Sequence, residues 1–395
     1  MVCGEMCAAG LSGSSVASLG GGGGGAQRVV PRRGALELLR EPERVVLLSA
    51  PAGSGKTYLL RSWIGQADVA DSVAWISVGR EERDPQRFWI SVLDALRSTA
   101  AGMTAVRELT AAPGLDGWAL VERILEDLSS LGGRLWLVID NLHELRSDET
   151  LRQLELLLMR APAGLRFVLS TRHDLRLGLH RFRLSGELTE IRADDLRFTP
   201  HEAHALLQSA GVTLSEPALA RLLERTEGWA AGLRLAALTL AEHPDPDRFA
   251  SEFSGSERTV AEYLLAEVLE RQPQPVRRLL VRTSILERVN GPLADLLTAS
   301  TGAERILSDL EQANAFVVSL NPDCSWFRYH RLFADLLARE LRRTEPHALP
   351  TLHALAADTG PARTGKRAPG DTAPRRAPEE RREPGDEFSP HRSET

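Results

Sequence analysis

The chain has 395 residues, which is long for one compact core and predicts two or three domains. Its hydrophobic content of 43% and charged content of 26% are ordinary for a globular protein, and a net charge of -6 gives no whole-chain attraction for nucleic acid. Its three cysteines form neither an even disulfide framework nor paired zinc half-sites, and no apolar run approaches the length of a membrane span. We therefore expect a cytoplasmic protein that does not enter a membrane.

Both ends of the chain are predicted to be disordered. Residues 1–27 are mainly Gly, Ser and Ala, with an unbroken glycine run from Gly20 to Gly25, and cannot bury enough surface to offset the entropy cost of ordering. Residues 346–395 are expected to hold one remaining helix and then a tail rich in Pro, Arg, Glu and Gly.

Residues 28–195 alternate short β-type runs with helical stretches, which predicts an α/β domain with a parallel sheet flanked by helices. Asp84 followed by Pro85 indicates a helix start, and Leu151, Leu154 and Leu158 mark the apolar face of another helix. The predicted strands are Val45 to Ser49, Val73 to Val78, Leu135 to Ile139, Phe167 to Ser170 and Leu188 to Ile191.

The first predicted strand runs directly into a phosphate-binding loop. The segment from Ala50 to Thr57 reads Ala-Pro-Ala-Gly-Ser-Gly-Lys-Thr and opens a helix, which is the context that a P-loop requires. Its glycines let backbone N–H groups face phosphate oxygens, its lysine reaches the β and γ phosphates, and its threonine hydroxyl binds Mg²⁺. Lysine occurs only at Lys56 and Lys366 in this arginine-rich chain, which singles out Lys56 as a position that needs a compact ammonium group. The predicted site for ATP or ADP with Mg²⁺ comprises Ala52, Gly53, Ser54, Gly55, Lys56, Thr57 and Tyr58.

The third predicted strand ends in an acidic residue. Asp140 matches the Walker B requirement for a carboxylate at the end of a buried strand, where it would hold Mg²⁺ together with Thr57. Asn141 stands where many hydrolysing relatives carry a second acid, and an amide cannot accept a proton from water. We therefore expect at most slow ATP hydrolysis, in which Glu144 could serve as the base.

The fourth predicted strand leads into Thr171 and Arg172. This places a cation at the sheet edge where the γ-phosphate should lie, so Arg172 is predicted to sense that phosphate. The alternative is an ordinary surface arginine in an arginine-rich chain.

Helical periodicity replaces the strand signal after residue 195. The run from Thr199 to Glu202 resembles a capping box and opens a predicted helical domain at residues 196–265. Two β-type runs, Ala315 to Leu320 and Ser325 to Tyr329, precede a helix from about His330. Helices followed by one hairpin predict a winged-helix domain at residues 266–345.

Several further segments carry a family resemblance. Together with the P-loop, the Walker B strand and Arg172, they resemble the N-terminal half of large LuxR-type, MalT-like transcriptional regulators of the STAND class of signalling ATPases. The resemblance covers about residues 28–355. The segments are Glu227 to Leu233, Phe253 to Arg258, Arg282 to Leu286, Leu310 to Phe316 and Phe327 to Phe333.

This resemblance implies a switch that rests closed with ADP bound, opens when it binds an inducer and ATP, and then self-associates. It implies that the segment from Val29 to Arg32 lines the adenine pocket, with Val30 and Arg32 as contacts, and that Arg172 is the sensor arginine.

Two more positions receive a role only from the resemblance. The turn at Gly228 and Trp229 would lie where the helical domain closes on the nucleotide. His330 resembles the histidine by which related switches touch the ADP phosphate, and a partly buried structural histidine is the alternative.

The resemblance stops near Leu352 and His353, where an apolar helix pattern gives way to Pro, Arg and Gly. Full-length relatives continue into a helical-repeat sensor domain and end in a helix-turn-helix that reads DNA. We therefore expect a truncated or frameshifted regulator that does not bind DNA directly.

Two other functions stay open at this point. The main alternative is a turnover AAA-like ATPase that remodels a protein partner, although Asn141 and the lack of an obvious trans-acting arginine motif favour the slow switch. A winged-helix DNA binder is the third, although the predicted helix from Ala303 to Gln312 is acidic.

Overall fold

The computed structural model describes residues 30–66, 69–107 and 116–358. The chain divides at Ser254 and Gly255 into two compact units. The leader of residues 1–27 and the tail after residue 358, both predicted to be disordered, lie outside the described residues.

A five-stranded parallel sheet forms the centre of the first unit. Its strands are β1 (Val45–Ser49), β2 (Val73–Ser77), β3 (Leu135–Asp140), β4 (Leu165–Thr171) and β5 (Leu188–Arg192). Their order in space is β2, β3, β4, β1, β5, so β4 lies between β1 and β3. The carboxyl ends of these three strands therefore lie side by side at one edge of the sheet, where ligands of open α/β sheets bind.

All five predicted strands are present, with small differences at their ends. β4 is longer than predicted at both ends, because Leu165 pairs with Leu135 and Thr171 pairs with Ser49. The prediction that β2 extends to Val78 is wrong by one residue, since the ladder with β3 ends at Ser77.

Helices cover both faces of this sheet and continue into a helical region. They are α1 (Arg33–Glu37), α2 (Lys56–Gln66), α3 (Pro85–Arg97), α4 (Ala100–Ala105), α5 (Gly117–Asp127), α6 (Asp148–Arg160), α7 (His180–Ser185), α8 (Pro200–Ser209), α9 (Glu216–Thr226), α10 (Ala230–Leu240) and α11 (Pro246–Glu252).

The two faces of the sheet have separate cores, because successive side chains of a strand point to opposite sides. Leu47 of β1 packs with residues of α3, α5 and α6, whereas its neighbour Leu48 packs with α1 and α2. The strands are apolar on both faces, as expected of a parallel sheet buried between helices.

Both predicted helix starts are confirmed. The Asp84 carboxylate accepts a hydrogen bond from the Arg87 N–H at 3.0 Å, and Pro85 is the first residue of α3. Thr199 caps α8 and forms the predicted reciprocal capping box with Glu202. In α6, Leu154 and Leu158 are fully buried, while Leu151 is half-buried.

The second unit consists of helices and one antiparallel hairpin. Its elements are α12 (Arg258–Leu264), α13 (Gln274–Thr283), α14 (Gly291–Thr298), α15 (Ala303–Gln312), β6 (Val317–Ser319), β7 (Phe327–Tyr329), α16 (Arg331–Thr344) and α17 (Leu349–Asp358). A π-helical turn, Leu265–Leu269, continues from α12.

Both hairpin strands are shorter than predicted, and β7 begins late because one side chain organises the turn before it. The Asn321 side-chain oxygen accepts hydrogen bonds from the backbone N–H groups of Ser325 at 3.1 Å and Trp326 at 3.0 Å. These residues therefore belong to the turn and not to the ladder. His330 occupies the N-cap position of the following helix, which begins at Arg331, without a side-chain capping bond. Across the described part of the chain, no helix is both long enough and apolar enough to cross a membrane.

Candidate nucleotide-binding site

The P-loop connects β1 to α2 at the carboxyl edge of the sheet. Gly53 has a φ of 72° and Gly55 a φ of 87°, the left-handed region that a residue with a Cβ avoids. The loop also carries the largely buried Ala52 and Ser54, and α2 begins at Lys56. This conformation presents the amino end of α2 and successive backbone N–H groups, a suitable cradle for phosphate.

The Lys56 side chain folds back onto the first residues of the P-loop. Its ammonium donates to the backbone carbonyls of Ala50 at 2.6 Å and Pro51 at 2.9 Å. Burial and, to a smaller extent, the Arg172 guanidinium lower the pKa of Lys56 to about 8, while the Asp140 carboxylate opposes both. A desolvated ammonium beside a second cation is a site that favours an anionic ligand.

The Walker B residue meets the P-loop threonine directly. The Thr57 hydroxyl donates to the Asp140 carboxylate at 2.8 Å, and Asp140 is almost fully buried at the end of β3. A hydroxyl and a carboxylate at this position are oxygen ligands of the kind that Mg²⁺ prefers. These two residues therefore fit the predicted magnesium site.

Asn141 follows Asp140 in the left-handed region, with a φ of 57°. Its backbone N–H donates to the Asp140 carboxylate at 3.0 Å, and its side-chain amide donates to the Ser77 hydroxyl at 3.1 Å. Asn141 therefore stabilises the position of the Asp140 carboxylate and links the end of β3 to the end of β2.

Arg172 follows β4, between the ends of the P-loop strand and the Walker B strand. Its charge lowers the pKa of both Lys56 and His143, so the three groups belong to one cluster. The neighbouring Ser170 is fully buried, and its hydroxyl has no hydrogen-bond partner among the described residues. The role of Arg172 as a phosphate sensor stays a prediction.

Glu144 lies on the short 3-10 turn after β3, Leu142–Glu144. Its carboxylate is hydrogen-bonded to the guanidinium of Arg83 and lies 3.8 Å from the ring of His143. The carboxylate is therefore engaged by a cation from another loop, and its role as a base stays a prediction.

His143 was not recognised from the sequence. Its side chain is only 7% exposed, and neither ring nitrogen has a hydrogen-bond partner within the described residues. The available signal was the position of this histidine, three residues after the Walker B carboxylate and between the apolar residues Leu142 and Leu145.

The helical region contacts the P-loop through the turn at Gly228 and Trp229. The Trp229 indole N–H donates to the Ala52 carbonyl at 3.0 Å, and the Ala231 N–H donates to the Gly53 carbonyl at 2.9 Å. Gly228 itself has a φ of 70°. This turn therefore lies on the phosphate-binding loop, and closure of the helical domain on a nucleotide at this point stays a prediction.

The segment predicted to contact adenine is tied to the start of α8. The Arg32 guanidinium lies 3.5 Å from the Glu202 carboxylate and 4.0 Å over the ring of Phe198. The Arg33 N–H donates to the same carboxylate at 3.1 Å. Val30 is half-buried at the beginning of the described residues, and Val29 lies outside them.

Two other predicted contacts occupy different settings. Tyr58 follows Thr57 on α2 and is 65% exposed. His330 lies in the second unit, where its ring packs edge-on against Phe316 with the centroids 5.4 Å apart. The contacts of both residues with a nucleotide stay predictions.

Two family models match the chain. One describes an AAA domain and matches residues 39–178, and the other describes the MalT winged helix domain and matches residues 265–349. The first match contains the P-loop, Asp140 and Arg172. The fold is thus an α/β P-loop NTPase domain followed by a helical region and a winged-helix domain.

Two groups of curated proteins are similar over most of the chain. The serine/threonine-protein kinase PknK of Mycobacterium tuberculosis is 30% identical over 331 residues, which is 82% of this chain and 30% of that protein. The HTH-type transcriptional regulator MalT of Yersinia enterocolitica is 29% identical over 322 residues, which is 80% of this chain and 35% of that protein. The chain thus spans about a third of the length of these relatives.

Among solved structures, the Walker-type ATPase PABY2304 of Pyrococcus abyssi has the same fold. The TM-score is 0.56 with 13% identity, and the match covers 80% of this chain and 97% of that one. The chain is therefore a homologue of the MalT regulators and of PknK in which a P-loop ATPase domain precedes a MalT winged helix domain.

Proposed function

We propose that the chain is an ATP- and ADP-binding regulatory switch whose task is conformational. The observation that carries this proposal is the pair of backbone carbonyls, Ala52 and Gly53, that accept hydrogen bonds from the helical region. A P-loop adjusts its backbone around a polyphosphate, and here the same backbone holds α10. Any movement of the loop on binding a nucleotide is therefore transmitted to the helical region.

The residues present divide the work of holding a nucleotide. Lys56 and Arg172 supply positive charge for the phosphates, and Thr57 and Asp140 supply oxygen ligands for Mg²⁺. A bound Mg²⁺ neutralises phosphate charge that two cations alone would leave uncompensated.

Three further residues complete the proposed pocket. Val30 and Arg32 are proposed to contact the adenine base, and Tyr58 is proposed to contact the bound nucleotide.

A switch of this kind needs a large difference in ligand affinity between its states. Moving a population from 1:99 to 99:1 takes about 5.5 kcal/mol of differential binding. The contacts of Lys56 and Arg172 with a γ-phosphate supply part of that difference, and an inducer would supply more. We further propose that the ATP state self-associates and that these residues do not bind DNA directly.

The geometry favours slow hydrolysis over rapid turnover. Asn141 cannot act as a base, and the Glu144 carboxylate is paired with Arg83. The alternative, an AAA-like ATPase that remodels a protein partner, requires sustained ATP turnover by the isolated chain. Phosphate release measured over many turnovers separates the two, and a steady rate on the order of 1 s⁻¹ would favour the alternative.

Calorimetry with nucleotide-stripped protein tests the proposal. We expect wild-type chain to bind ADP and ATP, and Lys56→Ala to weaken both by roughly 100-fold because it removes a charged donor to the phosphates. Arg87→Ala is a suitable control, since it removes a 64% exposed cation on α3. Binding by Lys56→Ala that equals that of the wild type would show that the site lies elsewhere.

Magnesium dependence gives a second test of the same site. Asp140→Asn keeps the shape of the side chain and removes the charge that Mg²⁺ needs. We expect this variant to bind ATP equally with Mg²⁺ and with a chelator, whereas the wild type should bind more tightly with Mg²⁺.

A further inference from the structure

The side chain of His143 is buried beside the candidate site, where its ring packs edge-on against His173 with the centroids 6.1 Å apart. It lies on the turn Leu142–Glu144, directly after the Walker B strand, and is only 7% exposed. Within the described residues both of its ring nitrogens lack a hydrogen-bond partner. A buried polar group without a partner is uncommon in folded proteins and indicates a strain or a ligand contact.

The groups around His143 keep its ring neutral. Burial, which is the largest cause, together with the charges of Arg172, Lys56 and His173 lowers its pKa to about 3. The adjacent Glu144 carboxylate, 3.8 Å from the ring, is the opposing charge and is itself paired with Arg83. A neutral imidazole retains one N–H donor and one acceptor.

The charged groups around His143 suit a phosphate ligand. The charges of Lys56 and Arg172 both lower the pKa of the His143 ring. The ring therefore lies within electrostatic range of the two cations that are proposed to bind the phosphates. His143 and Arg172 follow neighbouring strands, β3 and β4, whereas the P-loop follows β1 on the far side of β4. His143 therefore belongs to the side of the site that lies away from the P-loop, toward which the terminal phosphate of a triphosphate would extend.

We propose that a ring N–H of His143 donates a hydrogen bond to the terminal phosphate of a bound nucleoside triphosphate and so distinguishes ATP from ADP. This inference rests on the proposed function, because it requires a nucleotide at the P-loop. A neutral donor adds a directional contact for the third phosphate without adding a third mutually repelling cation to the resting site.

Two substitutions of similar size test the contact. His143→Gln keeps an N–H donor and His143→Met removes it. We expect His143→Met to raise the Kd for a non-hydrolysable ATP analogue by roughly tenfold, while the Kd for ADP stays within about twofold, because a hydrogen bond to a charged group is lost only with ATP. His143→Gln should restore most of the affinity for the ATP analogue.

A matched control and a measurement on the wild type complete the experiment. His180→Leu changes an exposed histidine at the start of α7 and should alter neither Kd. Should His143→Met fail to fold, nitrogen-15 spectra of histidine rings in the full chain decide the matter. The His143 signal, identified by its loss in His143→Gln, should shift with the ATP analogue and stay in place with ADP.

The possible failures can be told apart. Equal weakening of ADP and ATP binding by His143→Met would assign His143 a structural role, and unchanged binding of both would show no contact; each overturns the inference while the proposed function stands. If the wild type binds neither nucleotide, the proposed function fails and the inference with it.

Discussion

The indole N–H of Trp229 donates a hydrogen bond of 3.0 Å to the backbone carbonyl of Ala52, although 177 residues separate the two along the chain. The Trp229 side chain is buried, with the residue 6% exposed, so water does not compete effectively for this bond. A second hydrogen bond, from the Ala231 N–H to the Gly53 carbonyl, joins the same two segments. The P-loop and the first turn of α10 are therefore expected to open together.

Replacing Trp229 should loosen the P-loop. Trp229→Phe keeps an aromatic ring and removes the donor, so we expect the free energy of unfolding to fall by about 1 kcal/mol and amide hydrogen exchange in the P-loop to become faster. Trp118→Phe is the matched control, because it removes an indole bond to Glu149 at a 36% exposed position on α5. Equal exchange rates in the P-loop of both variants would contradict the expectation.

Glu202 holds together the start of α8 and the segment predicted to contact adenine. Its carboxylate pairs with Arg32, accepts the N–H of Arg33 and closes the capping box with Thr199, and its side chain is 10% exposed. Burial already lowers the pKa of Arg32, and the Glu202 charge opposes that shift.

Removal of the Glu202 carboxylate should therefore be costly. We expect Glu202→Ala to lower the free energy of unfolding by roughly 3 kcal/mol, because it leaves a buried guanidinium without its counter-charge. Urea denaturation measures this change. Glu252→Ala, which removes an exposed partner of Arg248, should leave stability nearly unchanged because water already solvates both charges. Similar losses in the two variants would show that burial of the pair is unimportant.

Gly255 is required by close packing within the second unit. A Cβ added there would lie 1.7 Å from the Leu332 carbonyl oxygen and 2.5 Å from its carbonyl carbon, so the backbone itself would have to move. We expect Gly255→Ala to destabilise this unit by about 3 kcal/mol, measured by thermal or urea unfolding.

The control for this glycine is Gly65. It is exposed near the end of α2, and a Cβ there would meet nothing within 4 Å. Gly65→Ala should leave stability unchanged or raise it by up to about 1 kcal/mol, since alanine favours helix. A Gly255→Ala protein as stable as Gly65→Ala would refute the packing argument.

Tyr329 should make the stability of the second unit depend on pH in the alkaline range. Its hydroxyl donates to the Thr283 hydroxyl oxygen at 2.6 Å, because the Thr283 hydroxyl itself donates to the Leu279 carbonyl at 2.7 Å. Burial raises the pKa of Tyr329 far above its ordinary value near 10, and the Thr283 contact opposes this shift only weakly.

The sign of the effect follows from where the proton is held. Above about pH 10 the unfolded chain releases the Tyr329 proton and the folded chain keeps it, so stability present below pH 10 is lost as pH rises further. Tyr329→Phe should cost about 1 kcal/mol at pH 8 and show a shallower loss of stability between pH 10 and 11. Tyr58→Phe, at a 65% exposed position, should keep the wild-type slope. A wild-type slope in Tyr329→Phe would exclude this tyrosine as the cause.

Much of the α/β architecture could be predicted because its signals are local. The strands of a parallel sheet are buried on both faces and so read as short apolar runs. The P-loop needs glycine at Gly53 and Gly55 for backbone conformation and a lysine and threonine directly after them, so its pattern is contiguous in the chain. Helix starts such as Asp84 with Pro85 depend on bonds within one turn.

The hairpin of the second unit shows where local signals are insufficient. The β-type run from Ser325 to Tyr329 predicts a longer strand, but the Asn321 side chain accepts hydrogen bonds from two backbone N–H groups, and the beginning of the run forms part of a turn. Which of the two hydrogen-bonding patterns wins depends on geometry that residue types alone do not specify.

The amino-acid order by itself determined the P-loop, the Walker B carboxylate, the strands and the succession of domains, because propensity, periodicity and phosphate-binding motifs act over a few residues. Only the tertiary structure decided that β4 lies between β1 and β3, that Trp229 bonds to Ala52, and that His143 is buried where the charges of Lys56 and Arg172 lower its pKa. These relationships join segments far apart in the chain. Burial of the apolar faces determines which segments pack together. Each buried polar group then forms hydrogen bonds with the groups that this packing places next to it.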